Sequence, residues 1–331
     1  MATREIATGI DSSGPHIDYQ TVVIVFTILQ AVVMVVASFG NLMVIVAFVR
    51  YMDLRRATNK FIINLAISDL LTGLVMVYQI TSFYVPAMSR HLVSCLLQFQ
   101  TISVFTLSSQ LSVTFCTIDR FIAISTPFKH DAIMSPRNTA IMISVPWVYG
   151  VIIGALPFIG VNNWTDGSAC IYELVVTPAQ LYISALTTWS QTIPCFIMYG
   201  IIFKVAWDRK KRIRPTNRVL VHRIEVHSSV MMGIVTVAFT ACWLPYSVTT
   251  FMQALNFNPT VSFVGNCLVF VGVAHSIVNP FIYAWQKREF RRACGRLLCT
   301  RSSARRNQQP RVKTISHQSD RSDATSWRTD K

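Results

Sequence analysis

Charge is scarce in this chain. Only 14% of its 331 residues are Asp, Glu, Lys or Arg, against about 25% in an ordinary water-soluble domain. Acidic residues are the rarer kind, 15 against 30 basic ones. No repeat links the two halves, which argues against a transporter built on inverted repeats. No nucleophile set or multi-histidine motif is present, so neither an enzyme nor a resident cofactor or metal is expected. Residues 1–20 lack the apolar core and cleavage site of a signal peptide, so the first apolar segment is expected to act as the insertion signal.

Apolar sequence is abundant, at 52% of residues. Seven stretches dominate: Thr21–Val49, Asn59–Met88, Val93–Ser125, Thr139–Ile159, Thr177–Trp207, Val226–Leu255 and Val261–Trp285. Crossing a bilayer takes about 20 mostly apolar residues. Inside lipid a backbone must satisfy its own hydrogen bonds, so runs of this length are helices. The expected fold is an all-α integral membrane protein, a seven-transmembrane helix bundle over residues 21–285. Around it are expected an extracellular N-terminus (1–20), a short amphipathic eighth helix (286–299) and a disordered cytoplasmic tail (300–331).

The net charge of +15 does not indicate nucleic acid, because the basic residues collect in alternate short loops. They sit at Arg50, Arg55, Arg56 and Lys60, then at Lys129 and Arg137, then from Arg209 to Arg223. The intervening loops carry little beyond Arg90, Asp166 and Glu173. This positive-inside asymmetry places the C-terminus in the cytosol and, with seven spans, the N-terminus outside. A multi-pass plasma-membrane protein in contact with lipid is expected.

Topology sorts the eight cysteines. Cys116, Cys195, Cys242 and Cys267 lie in spans and read as small buried hydrophobes. Cys95 and Cys170 face the oxidising side, where a bridge between them would tether the outer loop; sequence alone does not pair them. Asn163-Trp164-Thr165 is a glycosylation sequon on that side. In the inner amphipathic segment, Cys294 and Cys299 are either palmitoylated or plain reduced thiols. Ser302, Ser303, Thr314 and Ser316 in the tail could accept phosphate.

Polar residues stand where lipid should forbid them. Asp69 is the one charge in the second span, and an intramembrane carboxylate costs several kcal/mol unless it faces an interior. The bland alternative is a protonated Asp hydrogen-bonded between helices. The third span carries Gln98, Gln100, Thr106, Ser109, Gln110 and Ser112, so it should be the central helix, wrapped by the others. His275 and Asn279 are the matching oddities of the seventh. A channel or transporter would use Asp69 and His275 as an ion or proton path.

These residues also resemble the rhodopsin-like (class A) G-protein-coupled receptors, with one marker per span. The markers are Gly40-Asn41, Asn64-Leu65-Ala66-Ile67-Ser68-Asp69, Asp119-Arg120-Phe121, Trp147, Pro194, Cys242-Trp243-Leu244-Pro245 and Asn279-Pro280-Phe281-Ile282-Tyr283. The resemblance implies a switch. Arg120 would pair with Asp119 and Glu225 at rest, and would leave them to engage a heterotrimeric G protein. Trp243 would be the toggle beneath the ligand, with Phe239 one turn below and Tyr283 swinging inward. Receptor kinase and arrestin would engage the tail. Asp69, Ser109, His275 and Asn279 match a pocket that holds sodium in the resting state. Here His275 replaces an Asn, and a protonated ring would repel the cation. Ile202 stands where the family has a Tyr that helps stabilise the active state, and Gln110 replaces an aliphatic residue of the activation core.

Amine receptors carry a carboxylate where this chain has Ile102, and opsins a lysine where it has Val273. The subgroup most alike is the adenosine receptors. Ala57-Thr58-Asn59, Asn162-Asn163-Trp164 and Glu225-Val226-His227 are similar, and Cys170-Ile171-Tyr172-Glu173 resembles their Cys-Leu-Phe-Glu. That likeness implies a ring at Tyr172 stacking on a purine, with Glu173 accepting from its amine and Thr106 near a ribose. Against it, Thr250, Ser247, Gly272 and Val273 replace the Asn, His, Ser and His of that pocket. Without those polar partners, each worth about 1–3 kcal/mol, adenosine should bind poorly. The expectation is therefore an adenosine-receptor-like protein with an altered pocket and an extracellular small ligand of its own, with a non-purine amine, lipid or peptide as the alternative. Its predicted pocket is Ile102, Ser103, Thr106, Tyr172, Glu173, Leu186, Trp243, Tyr246, Ser247 and Thr250.

Overall fold

The computed structural model describes residues 19–212 and 218–298. Seven long helical spans run Tyr19–Tyr51, Ala57–Tyr84, Leu92–Ser125, Pro136–Ala155, Pro178–Arg212, Arg218–Leu255 and a broken seventh, Pro259–Val273 with His275–Gln286. Two short helices, Pro127–Ile133 and Tyr172–Val175, occupy loops, and Arg288–Leu298 follows the seventh span. No strand occurs among the described residues; Asn162 and Val176 form an isolated bridge. Six of these helices are long and apolar enough to cross a membrane on length and composition. The fifth span is more polar, carrying Thr187, Thr188, Ser190 and Gln191, and completes the seven-helix bundle of an integral membrane protein.

The outward faces are apolar. Ile28, Val32, Val35 and Phe39 of the first span, Val148, Val151 and Ile152 of the fourth, and Ile193, Phe196 and Ile197 of the fifth are all exposed. A belt of that extent suits hydrocarbon rather than water. The third span is the hub, packing against the second, fourth, fifth and sixth. Its buried set includes Gln98, Gln100, Ser108, Ser109, Ser112, Asp119 and Arg120. The fourth span approaches it through small residues: a Cβ on Gly150 would lie 2.8 Å from the Val104 carbonyl oxygen. Close backbone approach of this kind gives helix association its dispersion energy where lipid offers no hydrophobic drive.

Polar pairs fix the register. Asn64 donates to Ser112 Oγ at 2.7 Å and accepts from Trp147 Nε1 at 2.8 Å, joining the second, third and fourth spans. Pro280 lacks the N–H that would bond the Ser276 carbonyl; Asn41 Nδ2 supplies it instead, at 2.9 Å, tying the first span to the seventh.

Helix ends depart from the apolar runs. The second span stops at Tyr84 rather than Met88, because Pro86 forces Val85 into extended backbone and Pro86–Ser89 form a 3-10 turn. The seventh is interrupted at Ala274, which turns His275 into the bundle. The expected N-terminal segment and tail, Cys299 included, lie outside the described residues.

Candidate functional site

Three polar layers stack along the bundle interior. In the outer layer, Cys95 and Cys170 are disulfide-bonded across 75 residues of sequence, which pins the outer loop to the top of the third span. The pinned segment forms the Tyr172–Val175 helix, whose Tyr172 ring packs on Phe99 at 5.5 Å between centroids. Glu173 accepts from Ser262 Oγ at 3.0 Å, and burial pushes its carboxyl pKa up. Ile102, Thr106, Tyr172, Trp243, Ser247 and Thr250 are buried, with Ser103, Glu173 and Tyr246 half-buried. The Thr106 hydroxyl has no hydrogen-bond partner among the described residues.

Leu186 departs from the predicted pocket: it is 50% exposed on the outer surface of the fifth span. One residue away around the helix, Ala185 is buried. Trp189 packs on Phe251 in a tilted pair, 4.9 Å between ring centroids, and donates to Ser247 at 2.9 Å. Tyr182 meets the same Phe251 edge-on. On this side of the fifth span Tyr182 and Trp189 meet Phe251 of the sixth, and Ala185 is buried. Hydropathy offered no cue, because exposed Leu186 and buried Leu181 are the same residue type.

The middle layer centres on Asp69. Its Oδ1 is approached by Ser109 Oγ at 2.9 Å, His275 Nε2 at 3.1 Å and Ser276 Oγ at 3.3 Å; its Oδ2 accepts from Asn279 Nδ2 at 2.6 Å. On the far side of the imidazole, Trp243 Nε1 lies 2.9 Å and the Gly272 oxygen 2.7 Å from Nδ1. An indole N–H can only donate, so with Trp243 engaged Nδ1 is the acceptor and Nε2 carries the proton. With Nδ1–H donating to the Gly272 oxygen instead, Nε2 offers a lone pair and accepts from Ser109 Oγ at 3.1 Å. The tautomer that engages Trp243 presents an N–H toward Asp69, at a position where a sodium ion would need a lone pair.

The inner layer surrounds Asp119. Its Oδ2 accepts from Thr58 at 2.6 Å and from Arg120 Nη2 at 2.7 Å, and Oδ1 meets His130 Nε2 at 2.9 Å. Arg120 also donates to Thr58. His130 belongs to the Pro127–Ile133 helix; its pKa is raised, foremost by the hydrogen bond to Asp119. Neither His130 nor Thr58 emerged as a switch residue from the sequence. The Glu225 side chain, expected opposite Arg120, lies outside the described residues. Beneath Trp243, Phe239 packs edge-on to His275 at 4.8 Å. The hydroxyls of Tyr199 and Tyr283 are buried without a well-formed hydrogen bond among the described residues, with Thr117 and Thr236 near the former. Asn163 is in the outer loop, where its side chain donates to the Val176 oxygen at 3.3 Å, and Cys294 is half-buried.

A seven-helix bundle with a disulfide-pinned loop at one end and a buried charged cluster at the other is the architecture of a transmembrane signal receptor. A family model for the 7 transmembrane receptor (rhodopsin family) matches residues 40–283, and the chain belongs to that family of class A G-protein-coupled receptors. It is 28% identical over 311 residues to the Homo sapiens histamine H2 receptor, covering 89% of this chain and 85% of that receptor. It is 26% identical over 297 residues to the Gallus gallus adenosine receptor A2b, covering 80% and 86%. With the Homo sapiens adenosine receptor A2a it shares 26% over 313 residues, covering 86% and 74%. These relatives are receptors, not enzymes, and the chain is a multi-pass membrane receptor that couples a small ligand to G-protein signalling.

Proposed function

We propose that this receptor sits in the plasma membrane, N-terminus outside, and responds to an extracellular small molecule that adenosine cannot replace. The ligand occupies the cavity under the tethered outer loop, against Tyr172, Glu173, Thr106, Trp243, Tyr246, Ser247 and Thr250, with Ile102 and Ser103 on the third span. Its occupancy shifts the Trp243–His275–Asp69 chain, and Arg120 leaves Asp119 to receive a heterotrimeric G protein. The observation that carries this reading is the Asp119 carboxylate held at once by Thr58, Arg120 and His130. A charge so deeply buried is retained where it switches, since apolar replacement is often more stable. Asn163 carries glycan, Cys294 and Cys299 carry acyl chains, and receptor kinase and arrestin act on the tail.

The packing of Gly272 supports an altered pocket. A Cβ there would stand 2.8 Å from a Trp243 ring carbon, so the serine of adenosine receptors has no room. A second reading rests on Glu173: a half-buried carboxylate with one Ser262 hydroxyl bonded to it could take a cationic amine in place of the third-span acid that Ile102 replaces.

The deciding experiment is a second-messenger screen of purines, amines, lipids and peptides on cells expressing the chain. Arg120→Ala should abolish the response with surface expression intact. Glu173→Gln separates the readings, eliminating an amine response while weakening a neutral ligand by about tenfold or less. Ion flux with no nucleotide exchange on any heterotrimer would defeat the receptor reading for this chain.

A further inference from the structure

At the inner membrane face a cavity of about 310 Å³ opens between the loop after the first span and the Arg288–Leu298 helix. Three guanidinium groups line it: Arg56 from the loop, and Arg292 and Arg296 from the helix. Two carboxylates line it as well, Asp53 and Glu289. Proximity would normally pair such groups, yet among the described residues none of the three arginines has a carboxylate oxygen within the 4.0 Å of an ion pair. Arg296 lies over the Tyr51 ring at 5.8 Å, which holds it without neutralising it. Behind the cavity, Lys287 donates to Asn59 at 3.2 Å and sits over the Phe48 ring. Burial lowers its pKa to about 8. The cavity thus presents separated charges of both signs with a positive excess, walled by two elements that flank the lipid.

We propose that this cavity binds one phosphatidylserine headgroup from the inner leaflet. The chemistry selects that lipid by matching both signs. Its phosphate and carboxylate fit the forked guanidinium donors, and its ammonium fits Asp53 or Glu289. A choline headgroup offers no second anion. A polyphosphorylated headgroup meets two carboxylates it would repel. The inner leaflet holds phosphatidylserine where the cavity opens. Occupancy bridges the loop before the second span and the helix after the seventh, fixing the latter against the bundle.

The test uses full-length purified receptor in phosphatidylcholine nanodiscs with and without phosphatidylserine, read by lipid retention in native mass spectrometry and by melting temperature. One retained phosphatidylserine and a higher melting temperature are expected. Arg56→Ala and Arg292→Ala should each lower retention about fivefold, the equivalent of roughly 1 kcal/mol per basic group at a membrane surface. Arg137→Ala, which removes an exposed charge elsewhere on the inner face, should leave retention unchanged. Equal losses in all three variants would reduce the effect to diffuse attraction and overturn the site. Retention no better than that of phosphatidylcholine, or equal binding of soluble phosphoserine, would overturn the lipid assignment. None of these outcomes depends on the extracellular ligand.

Discussion

His275 Nε2 lies 3.1 Å from Asp69 Oδ1, and the opposite face of the same ring receives the Trp243 indole N–H. One imidazole therefore links Trp243 to the buried acid, and with Nδ1 accepting from the indole its Nε2–H stands where a cation would need a ligand atom. A sodium-dependent rise in melting temperature is accordingly expected to be absent in the unaltered receptor. His275→Asn supplies a carbonyl oxygen and frees Asp69 Oδ1, so that variant should gain a sodium-specific shift of a few degrees over potassium at equal ionic strength. A sodium-specific shift in the unaltered protein would contradict the donor assignment.

The hydroxyls of Tyr199 and Tyr283 are buried without a well-formed hydrogen bond among the described residues, though Thr117 and Thr236 lie near that of Tyr199. Tyr199 lies on the fifth span one turn from Ile202, and Gly233 of the sixth span leaves its ring room. Tyr283 is its counterpart on the seventh, where it is fully buried. An unsatisfied buried hydroxyl costs about 1–3 kcal/mol. Tyr283→Phe should stabilise this arrangement by ~1 kcal/mol, raising the melting temperature by roughly 2–4 °C, with a smaller gain in Tyr199→Phe, and both should lower ligand-stimulated nucleotide exchange. The second effect follows if the two hydroxyls find partners only in the signalling arrangement. Tyr199 would then supply the hydroxyl that Ile202 lacks. A fall in melting temperature would show that they are already bonded.

The sequence disclosed helices far better than helix faces. Apolar length and composition mark six of the spans outright, and the more polar fifth completes the set. The inward face of a span is another matter: Leu186, Ala185 and Ile183 look alike, and a bilayer erases the polar-outside signal that orients helices in water. Only the polar third span declares its central place, through residues such as Ser109 and Gln100. The Asp69 cluster was legible for the same reason, since each member is costly in lipid. The His130 contact to Asp119 was not, because it depends on how the Pro127–Ile133 helix folds back beneath the third span. Nor was the break at Ala274, which interrupts a continuous apolar run.

That His130 contact makes the inner cluster pH-sensitive. The imidazole faces Asp119 at 2.9 Å and Asp131 at 3.4 Å, with Arg120 opposing. Its pKa is raised above the ordinary 6.5, chiefly by the Asp119 hydrogen bond. A raised folded-state pKa contributes stability that is complete below 6.5 and is lost as pH rises through the higher value. Cytosolic acidification should therefore tighten the cluster and lower basal nucleotide exchange. Melting temperature followed between about pH 6 and 8 should fall with rising pH in the unaltered receptor. The slope should flatten in His130→Phe.

Gly272 sets the last expectation. A Cβ on it would stand 2.8 Å from Trp243 Cε3 and 2.9 Å from Cζ3, both atoms of a rigid ring. Trp243 cannot yield by a rotamer change without losing its bond to His275. Gly272→Ser should therefore cost about 1–3 kcal/mol as an overpacked core, and basal exchange should rise as the indole leaves the imidazole. The substitution also bears on ligand choice. Installing Asn at Thr250 and His at Ser247 restores two polar groups of an adenosine pocket on the sixth span. Adding Ser at Gly272 to that pair should reduce any adenosine response, because the floor beneath the ligand moves. A response that grows with the third substitution would mean that Trp243 has room to shift and that this pocket is closer to the adenosine receptors than its packing indicates.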